Sequence, residues 1–381
     1  YIYYMKTIIY NGRVICANSI IQHGYIGIEN GLIIEIGNGA AAQKPAILPL
    51  GAKAYWIDAE GGYISPGFID LHVHGVGICD MYKDTKSGLR NMARVLAYQG
   101  VTSFLPTLIT APLDEIIRAI SIMADSIKRQ DIPGAYILGI NLEGPYINSL
   151  KAGVQPVKYI RRPSIKELNR IIDAAYGYLR IITIAPEIPG NLEIAGVLKN
   201  KGIIPAIGHT SASFEETENA IDKGIIYISH TFNAMSEFHH RKPGAVGAVL
   251  MRKEVFTEII ADGVHIHPAV LKFLCRLKEN KQIILITDAL TGLMRHGDKC
   301  RFAGRDVISN GIAAYTEDGL LTGSTTPMNR AVQNITRYTD LDLPEAVKLA
   351  TINPARIMGV EGRKGTLDVG KDADIIIFGD D

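Results

Sequence analysis

The stretch Gly67-Phe68-Ile69-Asp70-Leu71-His72-Val73-His74 reads as an apolar strand that closes on two histidines spaced two apart. Side chains alternate along a strand, so both imidazoles project from the same face, where one metal ion can take both. The same design recurs downstream. Apolar runs lie at Thr102–Pro106, Tyr136–Leu142, Ile181–Ala185, Ile203–Ile207, Ile225–His230, Thr257–Ala261 and Ile283–Thr287, which with the first makes eight. Most are continuous rather than alternating, as parallel strands buried on both faces require. Helical patterns separate them, among them Leu113–Arg129, Ser164–Ala175, Glu215–Lys223 and Pro268–Lys278. Pro327 and Pro344 stand where a first-turn proline would start later helices. Eight strand-then-helix repeats over about 290 residues predict an α/β chain built as a (β/α)8 TIM-like barrel. A doubly wound sheet is the weaker alternative.

Upstream, short strands are expected at Thr7–Tyr10, Arg13–Ala17, Tyr25–Glu29, Leu32–Gly37 and Tyr55–Asp58. Asn11-Gly12 and Asn30-Gly31 both read as hairpin turns, because these residue types tolerate positive φ. The last stretch, Gly365 to Phe378, is strand-like again. Both ends therefore predict one small β-sandwich domain, residues 1–62 with 358–381, around a barrel domain at 63–357. The 381 residues carry 40 Lys+Arg against 39 Asp+Glu, a balance that gives no footprint for nucleic acid or a membrane surface. No run of 18 apolar residues could span a bilayer, and no signal peptide is visible. Cys16, Cys79, Cys275 and Cys300 are far apart and form no C-x-x-C pair, which suits reduced thiols in a cytoplasmic protein.

In such a barrel, chemistry sits where strands end. His72 and His74 close the first strand, Glu143 the third, His209 the fifth, His230 the sixth and Asp288 the eighth; Asp262 and His265 follow the seventh. Each has an ordinary explanation when taken alone. A histidine after a strand is usually just hydrogen-bonded, and an aspartate at a strand–helix junction usually caps the helix. Together, four histidines and two carboxylates converge on one end of one barrel. Burying so many ionisable groups is costly unless a cation neutralises them, so the metal-site reading prevails. Glu187 reads as a supporting residue, His239 and His240 as solvent-exposed, and His267 as part of a helix start.

These motifs resemble those of the amidohydrolase superfamily. Pro66-Gly-Phe-Ile-Asp-Leu-His-Val-His74 looks like its opening metal motif, and Gly370-Lys-Asp-Ala-Asp-Ile-Ile-Ile377 like its closing strand. Within the superfamily the chain is most similar to the N-acetylglucosamine-6-phosphate deacetylases. The similarity rests on Leu142-Glu-Gly-Pro-Tyr-Ile-Asn148, Gly208-His-Thr210, His230-Thr-Phe-Asn-Ala-Met235, Arg241-Lys-Pro-Gly244, Ala261-Asp-Gly-Val-His265 and Thr287-Asp-Ala289. They follow the family's order along nearly the whole chain.

The resemblance implies roles position by position. Glu143, His209 and His230 match the metal site common to the family, and His72 and His74 match a second-metal motif found in some members. One or two divalent ions per subunit are expected, zinc first, with iron, cobalt or manganese as alternatives. Many binuclear members bridge their ions with a carboxylated lysine on strand 4; Arg180–Ala185 has no lysine, and the resemblance makes Glu143 the bridge. Asp288, beside the metal, is the expected general base and then acid. Asn233, Ala234 and Arg241 match sugar-phosphate contacts, with Arg241 supplied by the neighbouring subunit of a homodimer. A guanidinium fork suits phosphate oxygens. His265 matches the contact to the sugar and its acetamido group, and Val154 and Leu321-Thr322-Gly323 match backbone contacts on loops. The excursion Gly292–Gly323 is a candidate lid. The expected partner is a small sugar phosphate. The alternatives are another amide substrate (N-acetylgalactosamine 6-phosphate, an N-acyl-D-amino acid or a cyclic amide) and a non-catalytic scaffold.

Overall fold

Residues 6–17, 19–39, 54–75, 81–290 and 295–380 are described by a computed structural model. The chain divides into two compact units, Tyr1–Ile69 with Asp342–Asp381, and Asp70–Leu341. The expected boundaries at 62/63 and 357/358 differ from these. The short helices Leu343–Leu349 and Ile352–Met358 count with the terminal unit, where Ala350 O accepts a hydrogen bond from the Ile69 N–H at 2.7 Å.

In the terminal unit, the described strands form one mixed sheet of six. Its order is Ile375–Phe378, Tyr63–Pro66, Lys6–Ile15, Ile20–Glu29, Leu32–Asn38, with Ala54–Asp58 also paired to Lys6–Ile15. The described strands of the expected small β domain are thus joined in one hydrogen-bonded sheet. The C-terminal strand returns antiparallel to Tyr63–Pro66, in register Ile375 with Pro66 and Phe378 with Tyr63. Ile9, Val14, Ile26, Ile33, Ala59, Ile64 and Leu367 make its apolar core.

Asn30-Gly31 is the expected hairpin, with φ of 51° and 76°. Asn11-Gly12 is not. Its strand runs on from Lys6 to Ile15, and the positive φ of Asn11 (57°) serves a β-bulge instead. A bulge bends its strand, and here the first half pairs with Ala54–Asp58 and the second with Tyr63–Pro66. Gly12 is required by close approach, since a Cβ there would stand 2.6 Å from Ile64 Cδ1.

The second unit is the barrel. Its strands run Phe68–Val73, Val101–Ile109, Ile140–Glu143, Leu179–Ile184, Ile204–Ile207, Tyr227–Ile228, Phe256–Ile260 and Ile283–Ile286, each hydrogen-bonded to the next. The registers from the second strand through the eighth are all parallel, as in Thr183 with Ala206 and Ile259 with Leu285. The ring closes where the Asp288 N–H donates to His72 O (2.9 Å) and the His74 N–H to Ala289 O (3.0 Å). A helix follows each strand before the next begins, from Thr85–Tyr98 after the first to Met328–Tyr338 after the eighth. Leu113–Arg129 shows why. It buries Ile116, Ala119, Ile120, Met123 and Ile127 on one face, and carries Asp114 and Glu115 at its start and Lys128 and Arg129 at its end, as the helix dipole favours. Phe214–Asp222 begins with a capping box between Ser213 and Glu216. Pro344 lies in the first turn of its helix, whereas Pro327 is the extended N-cap residue of Met328–Tyr338.

The excursion after the eighth strand is a four-stranded antiparallel sheet: Lys299–Phe302, Arg305–Ser309, Ala313–Thr316 and Leu321–Ser324. Gly292, where the sequence starts that excursion, lies outside the described residues, as does Cys79. Cys16 and Cys275 are free thiols. Among the described residues no helix is long and apolar enough to cross a membrane.

Candidate metal centre

The strand ends deliver the candidate ligands in chain order. His72 and Glu143 lie in their strands, and His74 directly follows Val73. His209, His230 and Asp288 each sit two residues past a strand, with φ of 47°, 29° and 46°. Side-chain-bearing residues hold this left-handed region at a cost of about 1–3 kcal/mol each, and such strain collects at functional sites. After Asp288, Ala289 and Leu290 pair in bridges with Ser324 and His74, so this aspartate does not open a helix as a cap would.

The six side chains meet in a buried cluster. Glu143 Oε1 lies 2.7 Å from His209 Nε2, 2.8 Å from His230 Nε2 and 3.8 Å from His72 Nε2. Its other oxygen is 3.6 Å from His74 Nε2. Asp288 Oδ1 lies 3.0 Å from His74 Nε2 and 3.7 Å from His72 Nε2. Two overlapping sets, His72–His74–Asp288 and His72–Glu143–His230, each keep their ligand atoms within 4.8 Å of one another.

The hydrogen atoms decide what this cluster can hold. His74 Nδ1 faces Thr107 O (3.3 Å), His209 Nδ1 faces Lys151 O (2.6 Å), and His230 Nδ1 faces Asn233 O (3.2 Å). His72 Nδ1 faces Glu258 Oε2 at 3.0 Å. Carbonyl and carboxylate oxygens only accept, so each Nδ1 carries the proton and donates it. Every neutral ring then aims an Nε2 lone pair at carboxylate oxygens that also only accept. Lone pair faces lone pair unless a cation stands between them. His72 Nε2 is fully buried without a hydrogen-bond partner, which is the same demand seen at one atom. Outer hydrogen bonds that fix the tautomer of each histidine are the usual surroundings of a metal ligand. Histidine and carboxylate together suit a divalent metal.

Electrostatics agree. Burial opposes charge on His72, yet Glu258, Asp288 and Glu143 hold its pKa up at about 10. Burial likewise opposes charge on Glu143, but His209, His230 and His72 hold its carboxyl well below the usual range. Asp288 is lowered against the same opposition by His72, His74 and His230. The site wants positive charge.

Sequence reasoning passed over the residues beneath the ligands. Glu258 is buried and accepts from His72, from the His230 N–H (3.0 Å) and from the Tyr227 hydroxyl (2.8 Å). Asp70 is buried and accepts from the Thr287 hydroxyl at 2.5 Å; burial pushes its carboxyl up to about 7. Both are charged residues inside otherwise apolar strands, the one signal that could have found them. Glu187 is a supporting residue as read: it accepts from Asn148 (2.8 Å), the Thr210 hydroxyl (2.5 Å) and the Ser211 N–H (2.7 Å). Asp262 holds His265, taking its Nδ1–H at 2.6 Å and its backbone N–H at 2.8 Å.

A cavity of about 320 Å³ opens over the cluster, walled by Val154, Asn233, Ala234, His265, Leu321 and Thr322 together with the ligands His74, Glu143, His209, His230 and Asp288. Gly323 packs behind this wall, where a Cβ would come within 3.0 Å of Asp288 O. Arg241 does not join its own chain's cavity. It lines a separate cleft with Ser211, Phe214 and Lys242, and its guanidinium turns to His240 Nε2 at 2.7 Å. His239 and His240 are exposed, and the His267 side chain accepts from the Ala269 N–H at a helix start, as expected.

Known proteins carry the same architecture. The chain is 33% identical over 370 residues to an N-acetylglucosamine-6-phosphate deacetylase of Bacillus subtilis (strain 168), covering 97% of this chain and 92% of the relative. It is 36% identical over 343 residues to an N-acetylgalactosamine-6-phosphate deacetylase of Escherichia coli O157:H7, covering 90% and 89%. A crystal structure of N-acetylglucosamine-6-phosphate deacetylase from Pasteurella multocida superposes with a TM-score of 0.89 at 29% identity, over 99% of this chain and 96% of that one. The amidohydrolase family profile matches residues 63–381, which span the whole of the cluster. The chain belongs to the amidohydrolase family.

Proposed function

We propose that the chain hydrolyses the acetamido group of N-acetylglucosamine 6-phosphate in the cytoplasm, releasing acetate and glucosamine 6-phosphate. The observation that carries this reading is the set of four Nε2 lone pairs and two carboxylates beneath a cavity of sugar size. A divalent ion held by Glu143, His209 and His230, with a second on His72, His74 and Asp288, would supply an acidified water at neutral pH and polarise the amide carbonyl. Zinc is the first candidate. Asp288 takes the proton from the attacking water and hands it to the departing amine, acting as base and then as acid. Asp262 fixes the His265 ring at Nδ1, which leaves Nε2 for the substrate. From there His265 faces the amide carbonyl, where a hydrogen bond steadies the developing oxyanion.

The sugar phosphate would lie along Asn233, Ala234, Val154 and the Leu321–Gly323 segment. Lys151 is the one lysine or arginine among the described residues of the cavity wall, so a single chain offers its phosphate no guanidinium. Arg241 supplies it across a homodimer in this reading, which fits its position in a cleft of its own. N-acetylgalactosamine 6-phosphate is the second substrate to consider, because a relative of that activity is 36% identical.

The test is acetate release from both phosphorylated sugars and from unphosphorylated N-acetylglucosamine, with metal content measured on the same sample. Release confined to the phosphorylated sugars is expected, fastest with the glucosamine form. A metal-loaded sample that releases acetate from neither phosphorylated sugar sinks the proposal.

A further inference from the structure

Glu258 is a buried group in the barrel that the chemistry above leaves unused. It sits inside the strand Phe256–Ile260, fully buried, one layer beneath the cluster. Oε2 accepts from His72 Nδ1 and from the His230 backbone N–H, both at 3.0 Å, and Oε1 accepts from the Tyr227 hydroxyl at 2.8 Å. All three neighbours present donors, which is the environment of an ionised carboxylate. Among the described residues its only ion-pair partner is His72. A buried charge supported by one imidazole is costly, unless that imidazole carries positive charge onward.

In the two-ion reading His72 belongs with His74 and Asp288. We infer that Glu258 is a positioning residue that sets how tightly the His72 side of the centre holds its ion. Its charge makes the His72 Nε2 lone pair more basic, and its second bond, to the His230 backbone, ties His72 to a ligand of the other set. The inference rests on the two-ion reading of the cluster. Neither His209 nor Glu143 is hydrogen-bonded to Glu258, and His230 reaches it only through its backbone N–H, so the ion held by Glu143, His209 and His230 depends on it much less.

Glu258→Gln separates charge from shape. The amide oxygen can accept from His72 and His230, while its NH2 donates to the Tyr227 oxygen, so the bonds survive and the charge is lost. Wild-type and variant proteins, loaded with two equivalents of zinc, are titrated with a chelator, and the ions left bound are counted. Two release steps are expected in the wild type. In Glu258→Gln one step, that of the ion on His72, shifts to about 10–100-fold lower chelator concentration, the usual cost of losing an outer-shell partner, and the other step moves far less. If the glutamine variant does not fold, Tyr227→Phe serves instead, since it frees the carboxylate to swing from His72. The same step should then loosen several-fold. Equal loosening of both steps, or of neither, overturns the inference while leaving the two-ion reading intact. A wild-type chain that takes up a single ion overturns both.

Discussion

Asp288 reaches the cluster through one oxygen, at 3.0 Å from His74, and its side chain keeps about an eighth of its surface open to the cavity (13%). A carboxylate so placed can touch an ion and still exchange a proton with substrate. Asp288→Asn keeps the shape and removes the base. Turnover should fall by about 10²–10⁴-fold, the usual contribution of a positioned acid–base group. The ion on Glu143, His209 and His230 should stay, as metal analysis of the same sample would reveal. Near-normal acetate release from that variant would remove Asp288 from the chemistry. Asp262 acts through another residue. In Asp262→Asn the amide can present N–H to His265 Nδ1, so the ring's tautomer and orientation are no longer fixed as the carboxylate fixes them. Steady-state kinetics should show kcat down by about 10²-fold or more with KM little changed. An effect on KM alone would make His265 a binding residue only.

At the scale of elements, the site depends on how closely the ends of barrel strands four to six approach one another. Thr183 and Ser229 share a hydrogen bond at 2.9 Å across the fifth strand's end, directly over Gly208. A Cβ on Gly208 would lie 2.7 Å from Thr183 Cγ2 and 3.0 Å from Ser229 Cβ. Gly208→Ala must therefore spread these strands and move His209, its neighbour. The expected cost is about 1–3 kcal/mol in urea unfolding, with earlier release of the ion to a chelator. An unchanged midpoint and unchanged release would mean that the barrel end is slack. This packing also explains what the sequence made legible. Continuous apolar runs ending in histidine or carboxylate revealed the barrel and all six candidate ligands, because burial on both faces leaves strand ends as the natural place for charge. Asn11-Gly12 misled, since an Asn-Gly pair reports only that φ is positive, and a bulge needs that as much as a hairpin does. Glu258 and Asp70 escaped notice because their partners lie on other strands, as with His72 at 186 positions from Glu258. Arg241 lies in a cleft apart from its own chain's cavity, so its place near a substrate is not read from the sequence alone.

At the scale of the whole molecule, the ion and the proton compete for the same lone pairs, which couples stability to pH. In the ion-free chain the pKa of His72 is held at about 10, against 6.5 for an unperturbed histidine. Folding without the ion therefore takes up a proton at His72 between these values. That stabilisation is complete below pH 6.5 and is lost as the pH rises through about 10. With the ion present, the lone pair coordinates metal and no proton is taken. Metal affinity itself climbs with pH as proton competition fades, and tighter binding stabilises the fold further. The difference in stability between loaded and ion-free protein should thus widen steadily from pH 6.5 upward. Urea unfolding with stoichiometric zinc and with chelator, at about pH 6.5, 7.5 and 9, inside the window those pKa values define, measures it. A difference that stays flat or narrows over this range would mean that His72 binds no ion, and the second half of the centre would have to be abandoned.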